Sequence, residues 1–385
     1  MWHRQLTTPS AGTLDFHTSL ADHYLATSPV PGWGLRQALV DQVWAAWEDG
    51  RPVLVTGLPK IGKTTLGLDV LASCEGSKVY INASDFDASA QSASLFRRQF
   101  GLPEILETYL GGLRFRRRLS QAELDVERAV WLQAAQAENA PTAFALWQNW
   151  LQKSDQSAVA VIDNVGFREF HGAISPVDYF QYISTLPFYH RIRFLMVLDG
   201  CSLPFMEKLG LMRQFDGYVR VHVPPLTQAE AYSLIRYPLT AAGISFSDED
   251  CQTFWAFAGS HPQVLQILCQ TFFTQQGFVG KKIEPLAMTR FFAEMLAPSN
   301  ESSEKTLNKA MNAYVDALVF GLPSELKDWL VRHVLDDGML TDLPPEAGWL
   351  DTLMGHGFVI QKQDGTYRLQ GILLLKALRS LQRVI

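Results

Sequence analysis

The sequence predicts an α/β protein in which a three-layer parallel sheet gives way to purely helical segments and then to a terminal module of helices and a hairpin. Three observations predict it. Short apolar, β-branched runs alternate with helical periodicity through the first part of the chain, as parallel sheets with crossover helices require. Residues 57–65 read Gly57-Leu58-Pro59-Lys60-Ile61-Gly62-Lys63-Thr64-Thr65, a glycine-bounded loop between one such run and a helix. After Pro224-Pro225 strand patterning stops, and it returns only as two short alternating runs joined through Asp364-Gly365.

The elements follow in order. Residues 1–34 are polar and broken by Pro9, Pro29, Pro31, Gly32 and Gly34, which reads as an N-terminal arm. Residues 35–48 place Leu35, Leu39, Val43, Ala46 and Trp47 at helical spacing and end at Gly50. Val53-Leu54-Val55-Thr56 is a buried strand, residues 64–74 a helix, and Lys78-Val79-Tyr80-Ile81-Asn82 a second strand. Helical periodicity recurs at 92–100, 103–112 and 120–152, which predicts a helical insertion at about 85–157. Residues 158–163, 194–199 and 218–223 are three further strands. Thr227 caps a helix beginning at Gln228, with Glu230 completing a capping box. Helices are expected near 248–258, 262–276 and 285–296, then a polar linker at 298–305, then helices and the hairpin.

The loop at 57–65 is the G-x-x-x-x-G-K-T phosphate-binding P-loop. Its glycines let consecutive backbone N–H groups point at a β-phosphate. Lys63 reaches the β- and γ-phosphates, and the Thr64 hydroxyl ligates Mg²⁺. Gly57, Pro59, Lys60, Ile61, Gly62, Lys63, Thr64 and Thr65 are therefore the expected contacts to ATP or ADP. The fold class becomes a P-loop NTPase sheet (35–225), an all-helical lid (226–297) and a winged helix (306–385).

Asp163 ends an apolar strand about 100 residues after the loop, where a carboxylate completes the Mg²⁺ shell. Asn164 follows it. An amide orients water but cannot take its proton, so turnover is expected to be slow, or a base comes from elsewhere. Asp199 ends the next strand and stands as a base, a metal ligand through water, or a turn cap. Arg213 precedes the fifth strand, either as a surface arginine or as one that reaches the γ-phosphate of a neighbouring subunit. His261-Pro262 opens a helix with proline at its first position. Arg114, Arg116, Arg117 and Arg118, with Arg97 and Arg98 nearby, form either a solvated face or a site for nucleic acid, phosphate or an acidic partner.

Composition bounds the rest. A chain of 385 residues suits about two or three domains, and 47% hydrophobic content supports a sizeable core. A net charge of −6 argues against coating DNA or an anionic membrane by bulk charge. Cys74, Cys201, Cys251 and Cys269 are widely spaced and read as reduced thiols of a cytoplasmic protein. No run reaches transmembrane length, and the N-terminus lacks the apolar segment of a signal peptide, so no membrane role is expected. Ten tryptophans and 23 phenylalanines point to thick helical cores rather than a stacking platform.

Taken together, the P-loop segment, Val159 to Asp163, Val223-Pro224-Pro225-Leu226-Thr227-Gln228-Ala229-Glu230 and Gly259-Ser260-His261-Pro262 resemble the AAA+/STAND class of P-loop ATPases, particularly its archaeal-ATPase-like branch. The resemblance covers roughly residues 35–376. It implies a sheet domain, a helical lid and a winged helix, and it places His261 and Pro262 near the nucleotide, where the lid reports on it. The chain departs from the NB-ARC type of STAND switch, which carries Met-His-Asp at the end of the winged helix. Gln370 stands at that His position and Gly371 at the Asp position, so the latch is altered or absent.

Three functions stay open: a slowly hydrolysing ATP-dependent switch that self-associates or recruits a separate effector or sensor protein; a DNA-associated AAA+ ATPase of initiator or transposition-regulator type; and a nucleotide-dependent scaffold without significant hydrolysis. The winged helix bears on the choice. Its expected recognition helix spans 346–356, and from Leu340 to Gly357 there is no Lys or Arg, while Asp342, Glu346 and Asp351 are acidic. Phosphate repulsion disfavours major-groove reading by such a helix, so any nucleic-acid contact falls to the arginine run.

Overall fold

A computed structural model describes residues 36–74, 78–82, 158–165, 192–198, 210–241, 244–275, 286–297 and 301–382. The expected helical insertion, Asp199 and the arginines at 97, 98, 114 and 116–118 lie outside the described residues. By its contacts the chain divides into two units. One comprises Arg36–Thr56 and Lys63–His222; the other joins Gly57–Gly62 to Val223–Ile385.

Among the described residues the first unit is built on a five-stranded sheet. Its strands are β1 (Val53–Thr56), β2 (Lys78–Asn82), β3 (Ala158–Val165), β4 (Ile192–Leu198) and β5 (Val219–His222). They run in the order β2-β3-β4-β1-β5, and every pairing is parallel. All carboxyl ends therefore share one edge, the edge where open α/β sheets bind ligands. All four residues of β1 are buried, as are Phe194 to Leu198 of β4, which accounts for their unbroken apolar runs. The P-loop strand and the Asp163 strand are not neighbours, because β4 pairs with both.

Helices α1 (Gln37–Glu48) and α2 (Lys63–Ser73) pack side by side against this sheet. Trp47 is buried and donates its indole N–H to the Phe194 carbonyl at 3.1 Å. Trp44 meets Trp47 edge-on at 5.3 Å and donates to Ser73 Oγ at 3.0 Å. Gly67 brings α2 close to the strands, since a Cβ there would sit 3.0 Å from Val161 Cγ1.

The second unit holds α3 (Gln228–Ala241), α4 (Asp248–Ala258), α5 (Pro262–Gln275), α6 (Ala287–Leu296), α7 (Glu301–Gly321), α8 (Ser324–His333), α9 (Ala347–Gly355) and α10 (Ile372–Gln382), with an antiparallel pair β6 (Val359–Gln361) and β7 (Tyr367–Leu369). This is the helical lid and winged helix of the expected fold class. Thr227 and Glu230 form the anticipated capping box: the Thr227 N–H donates to Glu230 Oε2 at 2.7 Å, and the Glu230 N–H donates to Thr227 Oγ1 at 3.2 Å. A second box at Ser247 and Asp250 starts α4. The core is aromatic: Phe254, Phe272, Phe291 and Phe292 interlock edge-on with centroids 5.1–5.5 Å apart. Each buried phenylalanine contributes roughly 1.5–3 kcal/mol.

Two expectations change. The segment read as a polar linker at 298–305 contains the first turn of α7 from Glu301 onward. Glu301 and Glu304 complement the helix dipole, Lys305 pairs with Glu301 at 2.6 Å, and Ser303 is buried, so polar residues here build a helix start. The P-loop residues Gly57–Gly62, expected within the sheet domain at 35–225, group with the helical unit.

Candidate functional site

The P-loop leaves β1 at Thr56 and enters α2 at Lys63. Gly57 and Gly62 have φ of 144° and 101°, and Lys60 is left-handed at 58°. At Gly57 glycine is needed twice, because an added Cβ would also lie 2.8 Å from the Val223 carbonyl oxygen. At Gly62 an added Cβ meets nothing within 4 Å, so there the positive φ alone calls for glycine. Leu58 and Ile61 are buried and anchor the loop.

Within the sheet unit, Lys63 and Thr64 open α2, whose first turn carries no acidic residue. Lys63 is 7% exposed and Asp163 is fully buried. Asp163 sits at the carboxyl edge of β3, in register with Asn82 of β2. The β3–β4 register shifts between Ile162 and Val165, so Asp163 and Asn164 form a bulge. Asn164 takes φ of 56°, its side chain is exposed, and its N–H donates to Asp163 Oδ1 at 2.8 Å. The bulge thereby fixes the carboxylate from its own backbone.

Two neighbours of this edge were not singled out by sequence. His222 ends β5 opposite Thr56 of β1, with Thr56 Oγ1 3.4 Å from its Nδ1. Partial desolvation, with the charges of Lys63 and Arg36, holds the His222 imidazole below its ordinary pKa. Arg36 immediately precedes α1. The only sequence signals were a histidine at a strand's carboxyl end and an arginine at a helix start, both common. Arg213 lies exposed on a 3₁₀ turn (Leu211–Phe215), and Arg220 is exposed on β5.

Within the helical unit, the motif at 259–262 meets the loop. His261 is 2% exposed, and its Nε2 lies 3.1 Å from the Pro59 carbonyl, so Nε2 carries the proton of that bond. Pro262 starts α5, and Thr65 belongs to α2. The His261 turn is held from several sides. Tyr314 hydrogen-bonds the Ala258 carbonyl, Ser260 donates to the Gly357 carbonyl at 3.2 Å, and the Leu226 N–H donates to the Ser260 carbonyl at 2.9 Å. Burial pushes the Tyr314 hydroxyl well above its usual pKa. Gln370 and Gly371 abut Gly259: a Cβ at Gly259 would lie 2.6 Å from the Gln370 carbonyl oxygen, and one at Gly371 2.8 Å from the Gly259 nitrogen. The motifs at 57–62, 259–262 and 370–371 therefore converge in this unit.

No family model matches the chain, and no curated protein matches it. Solved structures do. The Walker-type ATPase PABY2304 of Pyrococcus abyssi is similar at a TM-score of 0.51 and 13% identity, covering 89% of this chain and 95% of its own. The ORC2 protein of Aeropyrum pernix, solved as ADPNP–ADP complexes, gives 0.46 at 14% identity over 90% and 93%. A RuvB mutant of Thermotoga maritima gives 0.43 at 14% over 91% and 94%. The first of these similarities, with the strand order and the P-loop, shows the fold of a P-loop nucleotide-binding protein. Among the described residues no helix is long and apolar enough to cross a membrane, and Cys74, Cys251 and Cys269 are buried and joined in no disulfide.

Proposed function

We propose that the chain binds Mg²⁺·ATP at residues 57–65 and acts as a slowly hydrolysing, nucleotide-dependent switch that self-associates or recruits a separate protein. The observation that carries this reading is the bond from His261, at the start of a lid helix, to the Pro59 carbonyl inside the phosphate-binding loop. A ligand that reshapes the loop then acts directly on the lid, which supplies the differential contact a switch needs.

The residues present fit the nucleotide. A Cβ at Gly62 would meet nothing within 4 Å, and the first turn of α2, which carries no acidic residue, offers a favourable dipole to an anion. Lys63 neutralises β- and γ-phosphate charge, and Gly57, Pro59, Lys60, Ile61, Gly62 and Thr65 shape the backbone cradle. Thr64 and Asp163 hold the Mg²⁺ shell, the ion supplying charge neutralisation to the phosphates. Asn164 presents an exposed amide that orients water without accepting its proton, so the reaction is slow. Arg213, exposed, is available to the γ-phosphate site of a neighbouring copy, and Asp199, outside the described residues, keeps its sequence-based role as a base, a metal ligand through water or a turn cap.

The DNA-associated reading has less support, because Asp342, Glu346 and Asp351 are all exposed around α9. Lys63→Ala is expected to weaken binding of a fluorescent ATP analogue at least about 100-fold, through loss of a charge-assisted contact. Unchanged affinity would remove the nucleotide reading. Size-exclusion profiles in ADP and in ADPNP should differ; identical profiles would remove the assembly form of the switch. Phosphate release at background rate would favour the scaffold.

A further inference from the structure

Leu58, the second residue of the P-loop, is 3% exposed. Its Cδ2 rests against the α-carbon of Gly321, the last residue of α7, so closely that any side chain at 321 would overlap it. The Gly321 carbonyl in turn lies 3.2 Å from Nε2 of His356, which donates to it. His356 caps the C-terminal end of α9, and its ring meets Phe358 edge-on at 6.0 Å. Phe358 is 1% exposed and leads into β6. A continuous path of contacts therefore runs from the phosphate-binding loop to the wing of the winged helix, through Leu58, Gly321, His356 and Phe358.

We propose that Leu58 is a positioning residue that couples the nucleotide at the P-loop to the winged helix by seating on Gly321 and His356. The inference rests on the proposed nucleotide binding and deepens it. Glycine is readily accommodated at a helix C-terminus, and at 321 the missing side chain is what makes Leu58's seat. A close-packed seat is occupied or vacated, not continuously deformed, which makes it a two-state element. If loop geometry with a γ-phosphate differs from that with ADP, Leu58 seats differently in the two states. By linkage, the winged helix then biases which nucleotide the loop prefers. Gln370, where the resemblance puts a latch histidine, instead presents its carbonyl to Gly259. The Leu58 contact supplies a route of its own from loop to winged helix.

The test uses the full chain and reads two quantities: affinities for fluorescent ADP and ADPNP, and amide hydrogen exchange of residues 354–361 in each nucleotide. Wild type should exchange differently in the two. Leu58→Ala and His356→Ala should erase that difference and change the ADP-to-ADPNP affinity ratio about threefold or more, and Leu58→Met, which refills the seat, should restore both. A protein that binds both nucleotides but shows equal exchange at 354–361, or a Leu58→Ala variant that keeps the wild-type difference and ratio, overturns the coupling alone. Equal, negligible binding by wild type and Lys63→Ala overturns the nucleotide reading and this inference with it.

Discussion

At the residue scale, Asn164 shows how a backbone requirement selects chemistry. Its φ of 56° lies in the left-handed region, which asparagine enters more readily than other residues with a Cβ. The bulge needs that conformation to bring the Asn164 N–H onto Asp163 Oδ1. Asn164→Glu is therefore expected to lower unfolding free energy by about 1 kcal/mol, while Asn164→Gly stays near wild type, as urea denaturation would read. The sequence offered the identity of Asn164 but not its conformation, because the apolar strand pattern ends at Asp163 and says nothing of the bulge that carries β3 on to Val165. His222 carries a pH consequence. Its folded pKa lies below the ordinary 6.5, so the unfolded chain takes up a proton first as pH falls. Its contribution is complete above about 6.5 and is lost as pH drops toward the folded value. The urea midpoint should decline between pH 7.5 and 5.5, and His222→Gln should decline less.

At the element scale, the five strands and most helices were legible because apolar periodicity dominates them, and the box at Thr227 and Glu230 fixed where α3 begins. The start of α7 was not legible, since Glu301, Ser302, Ser303 and Glu304 have a composition that suits either a loop or a first turn. What decides it is tertiary: Ser303 is 1% exposed, and Leu307, Ala310 and Tyr314 continue its buried face. Tyr314 then pins the lid turn through its bond to the Ala258 carbonyl. Tyr314→Phe leaves that carbonyl without this donor in a buried place and should cost about 1–3 kcal/mol, measured by thermal or chemical unfolding. Because the same turn carries His261, nucleotide affinity should fall along with stability.

At the scale of the whole molecule, the order of sheet, lid and winged helix followed from the order of patterns along the chain. The convergence of residues 57–62, 259–262 and 370–371 in one unit did not follow from local pattern, which does not state which distant segments meet; only the family resemblance put His261 and Pro262 near the nucleotide. That convergence predicts that Gly259→Ala, which would press a methyl onto Gln370 and Tyr314, impairs nucleotide binding from a position more than 190 residues beyond the P-loop. An isothermal titration with ADPNP reads the effect. The placement of Gly57–Gly62 bears on how such a chain can be cut. The unit built on the sheet is not a contiguous stretch of polypeptide: the chain leaves it after Thr56 and rejoins it at Lys63. A fragment ending at His222 would keep the loop covalently but lose the surroundings that bury Leu58 and Ile61. It should be recovered as insoluble material rather than as an isolated ATPase domain, and a soluble nucleotide-binding fragment would have to be made by complementation with residues 223–385.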